Sequence, residues 1–217
     1  APSRGLGDVY KRQNAYMMTG SHHLYNYLPT KHEKWLTMIK QEIIDSGLIV
    51  DILNAKTMED VFRLLQGCSF LGSFLAYQYT IDMNYSPYIN FSENDFVKAG
   101  IGAIRGIKKC FLCYGNKCED AIWYVKEHFN DLQKRYGYTS FHPLLGHEPT
   151  LIDLQNCFCE TDKYLRAKMP ELRIGNVRIK QKYMPHTDPI QFFFPPKWNI
   201  VEMYKYKPVS YTHLRAH

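Results

Sequence analysis

The chain has 217 residues, 45% of them hydrophobic, with 27 Lys and Arg against 21 Asp and Glu, a formal net charge of +6. No apolar run approaches the roughly 20 residues that a membrane-spanning helix needs, so no membrane partner is expected. Mild basicity suits a nucleic-acid partner without requiring one.

The two ends read differently from the middle. Asp8-Val-Tyr-Lys-Arg-Gln13 is one reading frame of AGATGTGTATAAGAGACAG, and Val209-Ser-Tyr-Thr-His-Leu214 is encoded by its reverse complement. Residues 1–13 and 209–217 are therefore expected to be translated adapter DNA around a fragment, and are set aside from the fold. They hold Arg4, Lys11, Arg12 and Arg215 against Asp8, which is +3 of the total, so the remainder carries +3. Residues 14–208 suit a single domain with its own core. Six cysteines in a chain with no visible secretory signal predict reduced thiols.

Helical patterning dominates. Lys31 to Ser46 places Trp35, Met38, Ile39, Ile43 and Ile44 at helical spacing, with Gly47 positioned to end the run. Thr57 is a cap for a short helix with Glu59 and Asp60 in its first turn and Val61, Leu64 and Leu65 on its apolar face. Ser69 to Asn84 predicts a long buried helix ended by Ser86-Pro87. Cys118 to Tyr136 predicts an amphipathic helix, and Leu151 to Met169 another, stopped before Pro170. Arg173 to Arg178 reads as two short runs about a Gly175-Asn176 hairpin turn, continuing to Tyr183. Phe192 to Trp198 reads as extended, because paired prolines oppose a helix. The expected class is mainly α with a small C-terminal β-hairpin.

Three constellations can carry chemistry. In Phe96 to Ile107, Gly100-Ile-Gly102 predicts a tight turn between helices, with Gly106 four positions on. Backbone N–H groups of such a turn can face a phosphate, and Arg105, Lys108 and Lys109 add charge. An ordinary glycine-containing interhelical turn fits the same pattern. On the helix from Leu151, Asp153, Asn156, Glu160 and Lys163 form one polar stripe. That stripe suits base recognition and proton transfer, and equally a solvated face with a Glu160–Lys163 pair. Gln78, Asp82 and Asn84 punctuate an otherwise apolar helix and need partners or a cleft, since leaving such groups buried and unpaired costs about 1–3 kcal/mol. Cys110, Cys113 and Cys118, with Cys157 and Cys159, lack a clean second zinc-ligand pair, so no metal is assigned. His22-His23 receives no role.

Six sequence words are more specific together than any alone: 70–79, 82–86, 103–110, 152–156, 159–164 and 195–198. Over about residues 57–199 they resemble the DNA thymine-hypermodification family of phages and their relatives. That family includes the helical domain of 5-hydroxymethyluracil DNA kinases and the glutamyl/putrescinyl-thymine pyrophosphorylases. The resemblance implies action on a 5-hydroxymethyluracil-derived base in DNA, in a bacterial or phage-infected cytoplasm. A more distant similarity to helix-hairpin-helix DNA glycosylases implies a glycosylase-like helical fold. Gln155 stands where those enzymes usually carry His, which argues against simple base excision.

The resemblance implies duplex DNA held by Gly100, Gly102, Arg105, Lys108 and Lys109, with an extruded base received beside Asp153. Asp153, Glu160, Lys163 and Asp82 are the candidate catalytic residues. Gln78, Tyr79, Asn84, Arg105, Gln155 and Asn156 are the candidate substrate contacts, and Tyr77, Tyr79 and Tyr85 the candidate stacking surfaces. The sequence contains no Gly-x4-Gly-Lys-[Ser/Thr], so no cofactor is expected within it. ATP and Mg enter only through a P-loop kinase domain or partner outside it. The leading expectation is a hypermodification enzyme. The alternatives are a non-catalytic DNA-presenting module of a kinase and, third, a glycosylase.

Overall fold

Thr30 and Glu33 start the first helix by exchanging side-chain-to-backbone hydrogen bonds, which satisfies two of its orphan N–H groups. The computed structural model of the protein describes residues 20–138, 147–173 and 194–198. Helix α1 (Lys31–Met38) runs into a π-helical stretch, Ile39–Asp45, and Gly47 ends the run in the left-handed region at φ 80°. The predicted helix over 31–46 is thus present, with its second half widened. A short α2 (Leu48–Asn54) that the periodicity did not announce comes directly after it.

Helix α3 (Met58–Gln66) begins as predicted, with Thr57 and Asp60 in a reciprocal cap and Met58, Val61, Phe62 and Leu65 buried. Phe70 then adopts φ 65°, a left-handed conformation that a bulky residue rarely takes. Its ring stacks on Trp35, with centroids 5.5 Å apart, and it delays α4 (Ser73–Asn84) to four residues past the expected start at Ser69.

Residues 85–100 are not helical. The tight interhelical turn predicted at Gly100 is therefore a long irregular segment feeding α5 (Ile101–Cys110), and Gly100 itself has an ordinary extended φ of −73°. The helix expected over 118–136 is two, α6 (Glu119–Glu127) and α7 (Phe129–Arg135). His128, at ψ 18°, breaks the chain between them, and its Nδ1 engages the Tyr124 carbonyl oxygen at 2.9 Å. Helix α8 (Leu151–Lys168) spans nearly the predicted range. Pro196–Trp198 is a 3-10 turn rather than an extended strand, and the hairpin predicted about Gly175-Asn176 lies outside the described residues.

Among the described residues the protein is eight α-helices with no strand, and none is long and apolar enough to cross a membrane. The main packing pairs are α3 with α4 and α5 with α8, while α6 leans on α8. The core runs through Trp35, Val61, Tyr77, Ile107, Ile122 and Leu151. Thus α8 is central, packed along α5 and α6, with the Leu151 N–H of its first turn tied to Asn94 in the segment that follows α4.

Candidate functional site

The start of α8 is built around one carboxylate. Asp153, the third residue of the helix, reaches back to its N-cap, where Oδ2 accepts from Thr150 N at 2.8 Å and Thr150 Oγ1 at 2.9 Å. A carboxylate here also meets the positive end of the helix dipole. His147 Nε2 lies 3.2 Å from the same oxygen. Among the described residues, no hydrogen-bond donor reaches Asp153 Oδ1.

The rest of the predicted polar stripe parts company with Asp153. Asn156, Glu160 and Lys163 are exposed, and Glu160 pairs with Lys163. Gln155 is buried instead, with its side-chain nitrogen beside Gly100 and its Oε1 without a partner.

Across from Asp153, the end of α4 and the segment after it are tied to the far end of the chain. Asn84, predicted as a substrate contact, is buried and committed: Oδ1 accepts from Phe91 N at 2.8 Å and Nδ2 donates to Phe91 O at 3.1 Å. Lys197 Nζ donates to the carbonyl oxygens of Asn84 (3.1 Å) and Phe91 (2.9 Å), and burial pulls its pKa down. Trp198 Nε1 donates to Glu93 Oε2 at 2.8 Å. The His147 ring stacks on the Trp198 ring (centroids 3.8 Å apart, 21°), and Tyr85 meets it edge-on. Asn94 Oδ1 accepts from Leu151 N at 3.2 Å, which joins this segment to the first turn of α8.

The sequence words at 82–86, 152–156 and 195–198 therefore converge on one polar cluster. It contains Tyr77, Tyr85, Glu93, His147, Asp153, Lys197 and Trp198. Burial first, then the nearby carboxylates of Glu93 and Asp153, push the Tyr77 and Tyr85 phenols well above their ordinary value, so both stay protonated. Sequence reasoning missed Glu93, His147 and Lys197. Only the Pro-Pro-Lys-Trp word hinted at the last of these. Gln78 and Tyr79 are half-buried on α4 near Asp82, whose carboxyl is shifted up by desolvation.

The predicted DNA-binding group on α5 divides. Arg105 is half-buried and Lys108 exposed. Lys109 is different: its ammonium is buried 2.6 Å from Asp162 Oδ1, with Arg166 Nε 3.1 Å from Oδ2. That side chain clamps α5 to α8 and is not presented to a phosphate. Gly102 and Gly106 also face α8. A β-carbon on Gly102 would lie 2.5 Å from Cys159 Sγ, and one on Gly106 would overlap the Phe158 carbonyl. These two glycines permit helix-on-helix approach; neither cradles an anion.

The family comparison decides the context. Residues 5–174 match the family described as 5-hmdU DNA kinase, helical domain. The chain belongs to this family. It therefore belongs to thymine modification, in which 5-hydroxymethyluracil in DNA is the relevant base. No curated protein and no solved structure matches the chain.

For a kinase-associated helical domain the first question is where ATP would sit. A phosphate cradle needs glycines whose open space a phosphate fills, with a lysine beside them. Here the Gly102 and Gly106 spaces are filled by α8 and the neighbouring Lys109 is neutralised by Asp162. No group of three or more His, Cys, Asp or Glu side chains is disposed to hold a metal ion among the described residues. All six cysteines are free thiols. These residues do not fit a nucleotide–magnesium site, so no chemical step is routed through one here.

Proposed function

We propose that this chain is the DNA-presenting helical module of a 5-hydroxymethyluracil DNA kinase, with phosphoryl transfer performed by a P-loop unit. The observation that carries this reading is membership in the kinase helical-domain family by a sequence with no P-loop motif of its own. Reaction at the 5-position of a stacked base requires extrusion, which costs a few kcal/mol and must be offset by contacts to backbone and base. The exposed Lys108 and half-buried Arg105 supply the backbone contacts, and the cluster between α4 and α8 receives the base.

The test uses labelled duplexes that differ only in one 5-hydroxymethyluracil or thymine. The chain binds the modified duplex more tightly, and binding weakens with salt as phosphate contacts require. Nucleoside mass after incubation with ATP and magnesium stays unchanged. Equal affinity for both duplexes, or a phosphorylated base made by this chain alone, overturns the proposal.

A second reading rests on Asp153 Oδ1, which among the described residues has no donor while His147 and Thr150 hold the other oxygen. That arrangement orients a carboxylate to accept a proton from an incoming nucleophile. Asp153→Asn separates the two. A presenting module keeps both DNA affinity and, with its kinase, turnover within about twofold, whereas a catalytic Asp153 loses turnover by about 10²-fold or more while affinity holds.

A further inference from the structure

The Trp198 indole is engaged on its face, at its edge and through its N–H. Its face lies on the His147 ring, with centroids 3.8 Å apart and 21° between the planes. Tyr85 meets it edge-on at 6.1 Å, and Phe194 leans against it at the same centroid distance. Its Nε1 donates to Glu93 Oε2 at 2.8 Å. Glu93 is 8% exposed, whereas Trp198 is only half-buried and the His147 side chain keeps 15% of its surface open to water. The indole therefore fills a slot that is open to solvent along the ring and closed at the carboxylate. Its tether is polar and releasable, because Lys197 Nζ holds the same turn by the carbonyl oxygens of Asn84 and Phe91.

A stacking face and an acceptor opposite a ring N–H are also what holds a base outside a duplex. A ligand that displaces the indole must bring a donor with it, because a buried carboxylate stripped of its partner is costly. Uracil and its 5-substituted forms carry that donor at N3. We propose that Trp198 occupies the slot of the extruded base, and that a 5-substituted uracil displaces it, stacks on His147 and donates N3–H to Glu93 Oε2. The two fused rings of indole take more room than one pyrimidine, so departure of Trp198 by itself opens the space the base needs. Side-chain rearrangement of this kind is common at binding surfaces. Displacement forfeits the stack and the hydrogen bond that Trp198 makes, so the apparent affinity for DNA is reduced by the fraction of molecules in which the slot is filled. Trp198 is thus an intrachain competitor of the base. This inference rests on the DNA-presenting reading above and names the slot that reading requires.

The experiment measures affinity of the unaltered chain and of Trp198→Ala for three duplexes that differ only in one 5-hydroxymethyluracil, thymine or abasic site. Removing the competitor raises affinity for the 5-hydroxymethyluracil duplex by about tenfold, the weight of one hydrogen bond to a charged group. Affinity for the abasic duplex, which has no base to insert, stays within about twofold. A Trp198 that only anchors the end of the chain gives the opposite result: affinity for the 5-hydroxymethyluracil duplex is unchanged or lower. That outcome, or an equal rise for the abasic duplex, overturns the inference and leaves the DNA-presenting reading standing. Should Trp198→Ala fail to fold, the unaltered chain decides. Acrylamide quenching of its tryptophan emission rises on binding the 5-hydroxymethyluracil duplex and not on binding the abasic one; the same quenching with both overturns the inference. Failure of the unaltered chain to favour 5-hydroxymethyluracil over thymine overturns both readings.

Discussion

Lys109 and Asp162 are 53 positions apart in sequence, and their side chains meet at 2.6 Å with almost no exposure to water. Arg166 lies on the other oxygen of the same carboxylate, so two cations share one anion inside the α5–α8 seam. Removing one partner of a buried pair leaves an uncompensated charge, which typically costs about 3–5 kcal/mol. Asp162→Asn strands the buried Lys109 ammonium and is expected to fall in that range by urea denaturation. Lys109→Met leaves Asp162 paired with Arg166 and is expected to cost clearly less. Neither is expected to change the salt dependence of DNA binding. A Lys109→Met protein with an unchanged denaturation midpoint and a shallower salt slope would return Lys109 to the phosphate-binding role that its sequence neighbourhood suggests.

The same seam makes a prediction about its glycines. Ala at Gly106 meets the backbone carbonyl of Phe158, which moves only if the helices part. Ala at Gly102 meets Cys159 Sγ, a side-chain atom that can rotate away. Overpacking costs about 1–3 kcal/mol where the surroundings cannot yield. Gly106→Ala is thus expected at or above the top of that range and Gly102→Ala near the bottom. Thermal melting of the two variants checks the order. Equal shifts would show that the helices are not in the close contact described.

Acid is expected to destabilise the fold through two carboxylates. Burial by itself raises the pKa of Glu119, but Lys98 Nζ at 2.9 Å and the Ala99 N–H at 3.0 Å outweigh it and hold the group below its ordinary 4.5. Glu42 is likewise lowered despite burial, by the Ser69 N–H and the Tyr25 hydroxyl, each at 2.6 Å. A carboxyl whose folded pKa is depressed contributes stability that is present above its unfolded pKa and lost as pH falls through the folded one. Stability should therefore decline on acidification below about pH 4.5, and Glu119→Gln or Glu42→Gln should flatten that decline. Asp82 works against the trend, since desolvation raises its pKa and makes its ionised form the less favourable one in the fold. A denaturation series from pH 3 to pH 7 on the three proteins tests the sign. An acid limb of the same depth in all of them would remove both carboxylates from the account.

What was legible in the sequence is what depends on neighbours a few residues away. The Thr57–Asp60 cap, the left-handed stop at Gly47 and the long α8 ending before Pro170 all come from side-chain-to-backbone reach within one turn and from apolar spacing. The family words were legible too, and the kinase helical-domain match agrees with them. Only the tertiary structure decided which polar groups are committed and which are free. Helical spacing placed Asp153, Glu160 and Lys163 on one stripe, but the stripe divides according to what packs beside it: His147 and Thr150 engage Asp153, while Glu160 and Lys163 pair with each other on an exposed face. Lys109 and Lys108 are adjacent in sequence, and a 100° step around the helix sends one into the seam and leaves the other in water. Glu93 had no local signal at all, because its partner Trp198 lies 105 residues away and its second oxygen is notable only for having none. Hydrogen-bond satisfaction is a property of the folded surroundings of an atom, which is why the best candidate site came from the packing rather than the pattern.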